Sequence, residues 1–521
     1  VQDAAAQAHG HTEGPLWWLA AKVPFVGPNF AAIGTVSEVI DELATRALPS
    51  LVDVAGVVGH KGLIVSGGRI DVARLQAAAP LVASADAELI TAQQQLSTID
   101  VAALNSHVST PILDLEAKLD DIAGTTAAIR RALTLLPAML GADGPRTYLV
   151  MLQNNAEVRA TGGLPGSWVE MQVSDGAVKI LDIRPSAPVT GDDPILPLTV
   201  AEQALYGDQL VIYPQDTNFT PDFPRTAQLS QAFWKRETGR QVDGVFSLDT
   251  VALSHILAAT GPVTLPDGTK ITASNAVSYL LSDVYAKFAG DPQAHHAYFA
   301  EVSRAVFAAI ATGQVSSSGM LDALAASENE GRLYAWSAHP QEQSLLTETG
   351  LSGALVGHVG DAPVVGVFLN DSSGAKMSYY LRTAVRLNGQ KCLPDGQQAF
   401  TVTVTLTSTA PQDAATSLPQ YVTGGGQYIR AGDVATGILV FSPSGGKIDK
   451  ATVGDQGSAF VQQVQQGDHW AVTGSTELAP GQSITMTVQM HSGEGQPGVP
   501  LLRKTPGIAD PAPTITALRC P

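Results

Sequence analysis

Apolar residues return every third or fourth position through "VSEVIDELATRALPSLVDVAGVV" and "PILDLEAKLDDIAGTTAAIRRALTLLPAML", a spacing that predicts amphipathic helices across residues 30–140. Gly59 and the Gly67–Gly68 pair interrupt the period, so the helices of residues 1–143 are expected to fold back as an antiparallel bundle. The pattern changes at "GADGPRTYLVMLQNN", where Gly144 and Pro145 end the helix and Arg146 to Gln153 form an apolar, strand-like run. "GSWVEMQVSDGAVKILDIRPS" then predicts two strands joined at Asp175-Gly176, a dipeptide favoured in tight hairpins. Further strands are expected at "VDGVFSLD", "RLYAWSAH" and "PVVGVFLND", with helical sequence such as "TVALSHILAAT" between them. Residues 144–375 therefore read as a layered α/β core. From "KMSYYLRTAVRL" onward the helical period is lost. "QAFTVTVTLTST", "GILVFSPSG", "HWAVTGSTEL" and "QSITMTVQMHS" alternate at period two between turns, which predicts an antiparallel β-sandwich over 376–521.

Composition narrows the classes. A chain of 521 residues exceeds one hydrophobic core, and its length predicts roughly two to four domains. With 45% hydrophobic and 15% charged residues it can bury large cores. The net charge of −18, with no basic run to offset it, argues against a nucleic-acid partner. Cys392 and Cys520 lack the neighbours of a zinc site, so a single disulfide is the simplest reading, against two separate thiols; a disulfide favours an oxidising, extracytoplasmic location. "PLWWLAAKVPFVG" is interrupted by Lys22 and Pro24 and is too short to span a bilayer. It either lies on a membrane surface, with Trp17 and Trp18 at the headgroups, or docks on its own domain.

Candidate chemistry gathers around "LQNNAEVRATGGLPG". Asn154, Asn155, Glu157, Arg159 and Thr161 follow a strand, and open α/β sheets bind ligands beyond the carboxyl ends of strands. Gly162, Gly163 and Gly166 allow close backbone approach, whereas the alternative is a plain turn with Glu157 paired to Arg159. Arg184 ends the second strand of the following hairpin. With Arg159 it is expected to reach one sheet edge and clamp a phosphate or pyrophosphate, the alternative being surface pairing with Asp182 or Asp192. In "DTNFTPDFPRTAQLSQAFW", Asp216, Asn218, Asp222 and Arg225 occupy a loop and a helix start, where Asp222 also suits an N-cap. "NDSSGAKMSYY" places Asn370, Asp371 and Lys376 at another strand end. His295 and His296 read as solvated. No HExxH, GxSxG or GxxxxGK[ST] pattern occurs.

Together, "LQNNAEVRATGGLPGSWVEMQVSDGAVKI", "PDFPRTAQLSQAFW", "VDGVFSLDTVALSHILAATGPV" and "NDSSGAKMSYYL" resemble a family of Gram-positive envelope proteins, domain of unknown function 4012. That resemblance implies a protein outside the cell, held to the membrane by an anchor upstream of Val1. The family in turn resembles the LytR-CpsA-Psr phosphotransferases, which move glycopolymers from a polyprenyl pyrophosphate carrier onto peptidoglycan. Arg159, the hairpin and "LDIRPS" are similar in layout to their first motif. The two Asp positions of that motif hold Thr161 and Pro185 here.

The resemblance implies a LytR-CpsA-Psr-like α/β core that transfers or handles a polyprenyl-pyrophosphate-linked glycan. Arg159 and Arg184 would clamp the pyrophosphate, and Asp222 or Glu157 would accept the proton of an attacking hydroxyl. Asn154, Asn155, Thr161, Asn218, Arg225, Asn370 and Lys376 would line the substrate. Mg²⁺ is allowed, held by Glu157, Asp216 or Asp222 in place of the missing Asp pair. Two alternatives stand beside transfer. One is a non-catalytic protein that binds the lipid carrier or the cell-wall polymer; the other is a glycoside hydrolase using two of Glu157, Asp216 and Asp222.

Overall fold

A computed structural model describes residues 2–59, 64–65, 69–186, 193–289, 291–312, 317–454, 462–518 and 520. Gly67, Gly68 and Asp192, and the side chain of His296, lie outside the described residues. The chain is a mixed α/β protein with several sheets. It divides into two compact units, residues 1–146 with 173–177, and residues 147–172 with 178–521.

The first unit is helical. Its longest elements are Gly27–Glu42, Val72–Ser97 and Ser106–Met139. Along Val72–Ser97 the buried Leu75, Ala78, Val82, Ala85, Leu89, Ala92 and Leu96 recur at steps of three and four, which keeps one stripe facing its neighbours. Val39, Leu89, Leu96 and Leu119 share one cluster, and Leu75, Val82 and Leu133 share another, so this stripe is what binds the helices together. Asp71 and Asn105 cap the two long helices by accepting from the backbone N–H of Arg74 and Val108, each at 3.2 Å. The Asp175-Gly176 turn forms as the sequence predicts, with both residues at positive φ (46° and 74°).

The second unit carries a five-stranded sheet in the order Ala177–Pro185, Gly162–Ser174, Arg146–Arg159, Gly244–Asp249, Leu333–Ser337. Arg146–Arg159 and Gly244–Asp249 run parallel, with Gln153 beside Asp249 at the end of the register. The helix Phe223–Thr238 packs its apolar face, including Phe223, Phe233 and Trp234, against Leu149, Met151 and Trp168 of the sheet.

Two further sheets follow. One runs His358–Val359, Ala362–Asp371, Val434–Phe441, His469–Leu478, Gln462–Gln466, with Leu501–Lys504 added parallel to Ala362–Asp371. The other runs Lys447–Val453, Ser483–His491, Gln398–Ser408, Leu381–Cys392, Thr514–Thr516. Val367, Leu369, Val440 and Val472 of the first meet Leu387, Val402, Val404 and Met486 of the second in one core. Strict alternation of buried and half-buried positions along Gln398–Ser408 shows why that strand has a single core face.

The strand "PVVGVFLND" differs from the expectation. Sequence placed it in the α/β layer, but Ala362–Asp371 pairs with Val434–Phe441 and Leu501–Lys504 instead. Its nearly continuous burial suits a strand with partners on both edges, and a local pattern does not reveal which sheet supplies them. Cys392 and Cys520 form the disulfide, joining positions 128 residues apart.

Candidate functional site

Glu157 and Arg159 stand two apart on the Arg146–Arg159 strand and therefore face the same side. Arg159 Nη2 donates to Glu157 Oε1 and to Asp216 Oδ1, both at 3.0 Å. Its Nη1 donates to the Val158 carbonyl at 3.0 Å, and its guanidinium lies 4.6 Å from the centroid of the Phe219 ring. The other oxygen of Glu157 accepts from Lys376 Nζ. Asp371 completes the cluster. It caps its own turn by accepting from the backbone N–H of Ser373 (3.1 Å) and Gly374 (2.9 Å) and from the Ser373 hydroxyl (2.5 Å). All five charged side chains are buried; Arg159 is 4% exposed and Lys376 8%.

Burial raises the pKa of Glu157, but Lys376 and Arg159 outweigh it and hold the carboxyl below its ordinary value. Burial lifts Asp216 above its ordinary value against the pull of Arg159. Burial and the negative charge of Glu157 push Asp371 up to about 6, with Arg159 opposing. Burial opposes the charge of Lys376, yet Glu157 raises its pKa overall. The cluster thus sets three carboxylates against two cations, and the site's own field favours a proton on Asp371.

Polar neighbours fix the strand ends. Gln153 accepts from the Gly163 backbone N–H at 2.8 Å and donates to the Thr161 hydroxyl at 3.1 Å. Asn218 Nδ2 donates to Thr161 Oγ1 at 3.0 Å and to the Gly163 carbonyl at 2.8 Å. Asn370 accepts from the Ala160 N–H and donates to the Phe219 carbonyl, both at 2.9 Å. The two asparagines diverge because successive side chains on a strand alternate. Asn154 donates to the Tyr285 hydroxyl, whereas Asn155 donates to Asp249 Oδ2 at 2.8 Å. Asp249 also takes Arg332 Nη1 at 2.8 Å and caps the Thr250–Thr260 helix.

The structure brings together Glu157, Arg159, Asp216, Asp371 and Lys376, with Asn370, Asn218 and Thr161 around them. It does not bring Arg184 to them. Arg184 pairs with Asp182 at 2.8 Å and Glu237 at 3.6 Å, beside Trp234, so the expected two-arginine clamp is not formed. The reason is register. Arg159 lies at the turn between Arg146–Arg159 and Gly162–Ser174, whereas Ser186, just past Arg184, bonds the Gly166 carbonyl further along that second strand.

Asp222 is also elsewhere. Its Oδ1 accepts from the Leu355 N–H at 3.0 Å, and it makes no side-chain cap to the Phe223–Thr238 helix. Arg225 bonds Glu202 at 2.7 Å and the Pro197 carbonyl at 2.6 Å. His295, expected to be solvated, is buried in a ring cluster with Tyr285 and Tyr421 at centroid distances of 5.3 and 5.0 Å. The close approach that Gly163 allows is to protein rather than ligand. A Cβ there would stand 2.2 Å from the Asn154 carbonyl group.

Two expected roles lose their geometry. Glu157 and Asp216 bond the same guanidinium nitrogen, so they do not flank a cleft as a glycosidase pair would. The residues do not fit Mg²⁺ either. Glu157 spends both oxygens on Arg159 and Lys376, Asp216 bonds Arg159, and a dication would sit against two buried cations. Asp249, Arg332 and Tyr285 were not legible as site residues; only the Asp-Thr start of the Thr250–Thr260 helix signals Asp249, as an N-cap.

No curated protein matches this sequence. Among solved structures it is similar to the Lin1025 protein of Listeria innocua, at 14% identity and a TM-score of 0.23, covering 40% of this chain and 80% of that one. It is also similar to a Legionella pneumophila protein described as a "putative nutrient binding protein", at 10% identity and a TM-score of 0.15, covering 27% of this chain and 53% of that one. Likeness at this level carries no functional argument. Residues 143–285, which hold Glu157, Arg159 and Asp216, match the model of the family described as "Protein of unknown function (DUF4012)".

Proposed function

We propose that this protein is a non-catalytic, extracytoplasmic component of the cell envelope that binds a wall glycopolymer. The observation that carries the reading is that both Nη groups of Arg159 are already engaged by protein acceptors. Its Nη groups bond Glu157, Asp216 and the Val158 carbonyl, while Lys376 is held by Glu157. Gripping a pyrophosphate with these cations would mean breaking buried ion pairs, and each bared carboxylate would cost several kcal/mol. The other arginines of the transferase reading, Arg184 and Arg225, are bound to other acids.

A binding surface is supported by the outer face of the Leu381–Cys392 sheet. In register across it stand Arg386, Thr403 and Thr487, then Asn388, Thr401, Gln489 and Lys450. Hydroxyls, amides and exposed cations in flat rows suit a polyhydroxylated, anionic chain. The disulfide supports an oxidising compartment.

The test is titration of purified anionic wall glycopolymer into wild type and variants, beside a transfer assay with a polyprenyl-pyrophosphate-linked glycan. Arg386→Glu with Lys450→Glu should weaken polymer binding by about fivefold or more. Arg159→Leu should cost about 3 to 5 kcal/mol of stability and leave polymer affinity unchanged. Glycan transfer by the wild type that Arg159→Lys abolishes would sink the reading.

A further inference from the structure

The segment around Pro15–Ala20 exposes more apolar surface than its neighbours. That helix buries no residue. Leu16 is 82% exposed, Phe25 is 95% exposed, and Trp18, Leu19, Val23 and Val26 are also exposed. So many exposed large apolar groups within a dozen consecutive residues call for something to meet them. The two tryptophans split their roles. Trp17 turns inward, donating from Nε1 to the Phe30 carbonyl at 2.9 Å and meeting the Phe30 ring edge-on at 5.0 Å, which fixes the segment to the Gly27–Glu42 helix. Trp18 turns outward with Lys22 Nζ 3.6 Å from its ring centroid.

Phe25 adds an independent observation. Its φ of 68° is unfavourable for a bulky side chain, yet among the large apolar residues described it is the one presented most fully to solvent. Residues held in unfavourable backbone cluster at functional sites, and here the strain displays an apolar ring. Charge indicates which occupant fits. The net charge is −18, yet from Gly14 to Ser37 the only charged residue is Lys22. Aromatic and aliphatic side chains beside one Lys on a stretch of chain that carries no carboxylate match the interfacial zone of a bilayer bearing anionic headgroups. There rings sit at headgroup depth and the ammonium meets phosphate. Among the described residues no helix is long and apolar enough to cross a membrane, and the six-residue helix would lie at surface depth.

We infer that Leu16, Trp18, Leu19, Val23, Phe25 and Val26, with Lys22, form a membrane-surface docking wedge for a bilayer containing anionic lipid. This goes beyond the polymer-binding reading and stands or falls separately from it. The experiment is flotation of the 521-residue chain with phosphatidylcholine vesicles, with and without one quarter phosphatidylglycerol, beside light scattering for oligomeric state. Wild type should float with the anionic vesicles and more weakly with neutral ones. Trp18→Ser with Phe25→Ser should lower partitioning by about tenfold or more, and Lys22→Glu should erase the preference for anionic lipid. Phe25→Gly is the decisive variant. Glycine relieves the left-handed backbone, so its melting temperature should not fall while vesicle binding does. Absence of flotation, or flotation indifferent to these changes, overturns the inference. So does a dimer that the same variants dissolve, because a second copy would then be the occupant.

Discussion

At the residue scale, the buried cluster is a charge-balance problem. Asp371 faces Glu157 and Arg159 and accepts three hydrogen bonds from Ser373 and Gly374, yet its pKa rises to about 6 from an ordinary 3.8 because burial and Glu157 outweigh them. A folded-state pKa above the unfolded one means that the folded protein holds the proton more tightly. The stabilisation from this group is therefore full below about pH 4 and lost as pH rises through about 6. Glu157 works the other way, since its lowered pKa gives stability that is lost as pH falls through its folded value. Asp371→Asn isolates the first effect. Relative to wild type the variant should gain on the order of 2 kcal/mol as pH rises from 4 to 7, measured by urea unfolding at each pH. A pH-independent difference would show that Asp371 ionises freely.

At the element scale, the hairpin joining Arg146–Arg159 to Gly162–Ser174 positions the cluster. Gly163 sits so close to the neighbouring strand that a Cβ would meet the Asn154 carbonyl carbon and oxygen at 2.2 Å and the Asn155 nitrogen at 2.5 Å, all of it backbone that cannot swing aside. Gly163→Ala should therefore cost about 2 kcal/mol or more. It should also displace the Gly163 bonds to Gln153 and Asn218 that order the turn beyond Arg159. Thermal melting checks the first effect. Amide hydrogen exchange across residues 153–163 checks the second, with faster exchange expected there and unchanged exchange in Gln398–Ser408.

At the scale of the whole molecule, the disulfide ties the Leu381–Cys392 strand to the end of the chain across 128 positions. Closing a loop of that length is worth on the order of 4 to 5 kcal/mol through the entropy it removes from the unfolded chain. Cys392→Ser with Cys520→Ser, or reduction of the native protein, should lower the urea midpoint accordingly. Thiol labelling of the unfolded, unreduced protein should give no adducts. The same scale explains why the cluster resists use as an open site. It is assembled from the Arg146–Arg159 strand, the short 3-10 helix Pro214–Asp216 and the turn after Ala362–Asp371, so uncovering it would disturb two sheets at once.

The sequence by itself determined the features that local period and composition encode. These are the helical first segment, the strand–turn–strand about Asp175-Gly176, the alternating strands of the last segment, and the cysteine pair with no competing partner. It also singled out Glu157, Arg159, Asn370 and Lys376 as groups in need of an explanation. Tertiary structure alone decided what those groups do. Arg159 meets Asp216 across 57 positions, and Lys376 meets Glu157 across 219. Period reports which face a residue occupies and nothing about which distant loop arrives there. For the same reason "PVVGVFLND" was legible as a strand but not as a member of the C-terminal sheet, and Arg184 was legible as a strand-end cation but not as a neighbour of Asp182 and Glu237 rather than of Arg159. Strand pairing and ion pairing are choices among partners remote in sequence, made by burial and Coulomb energy in the assembled fold.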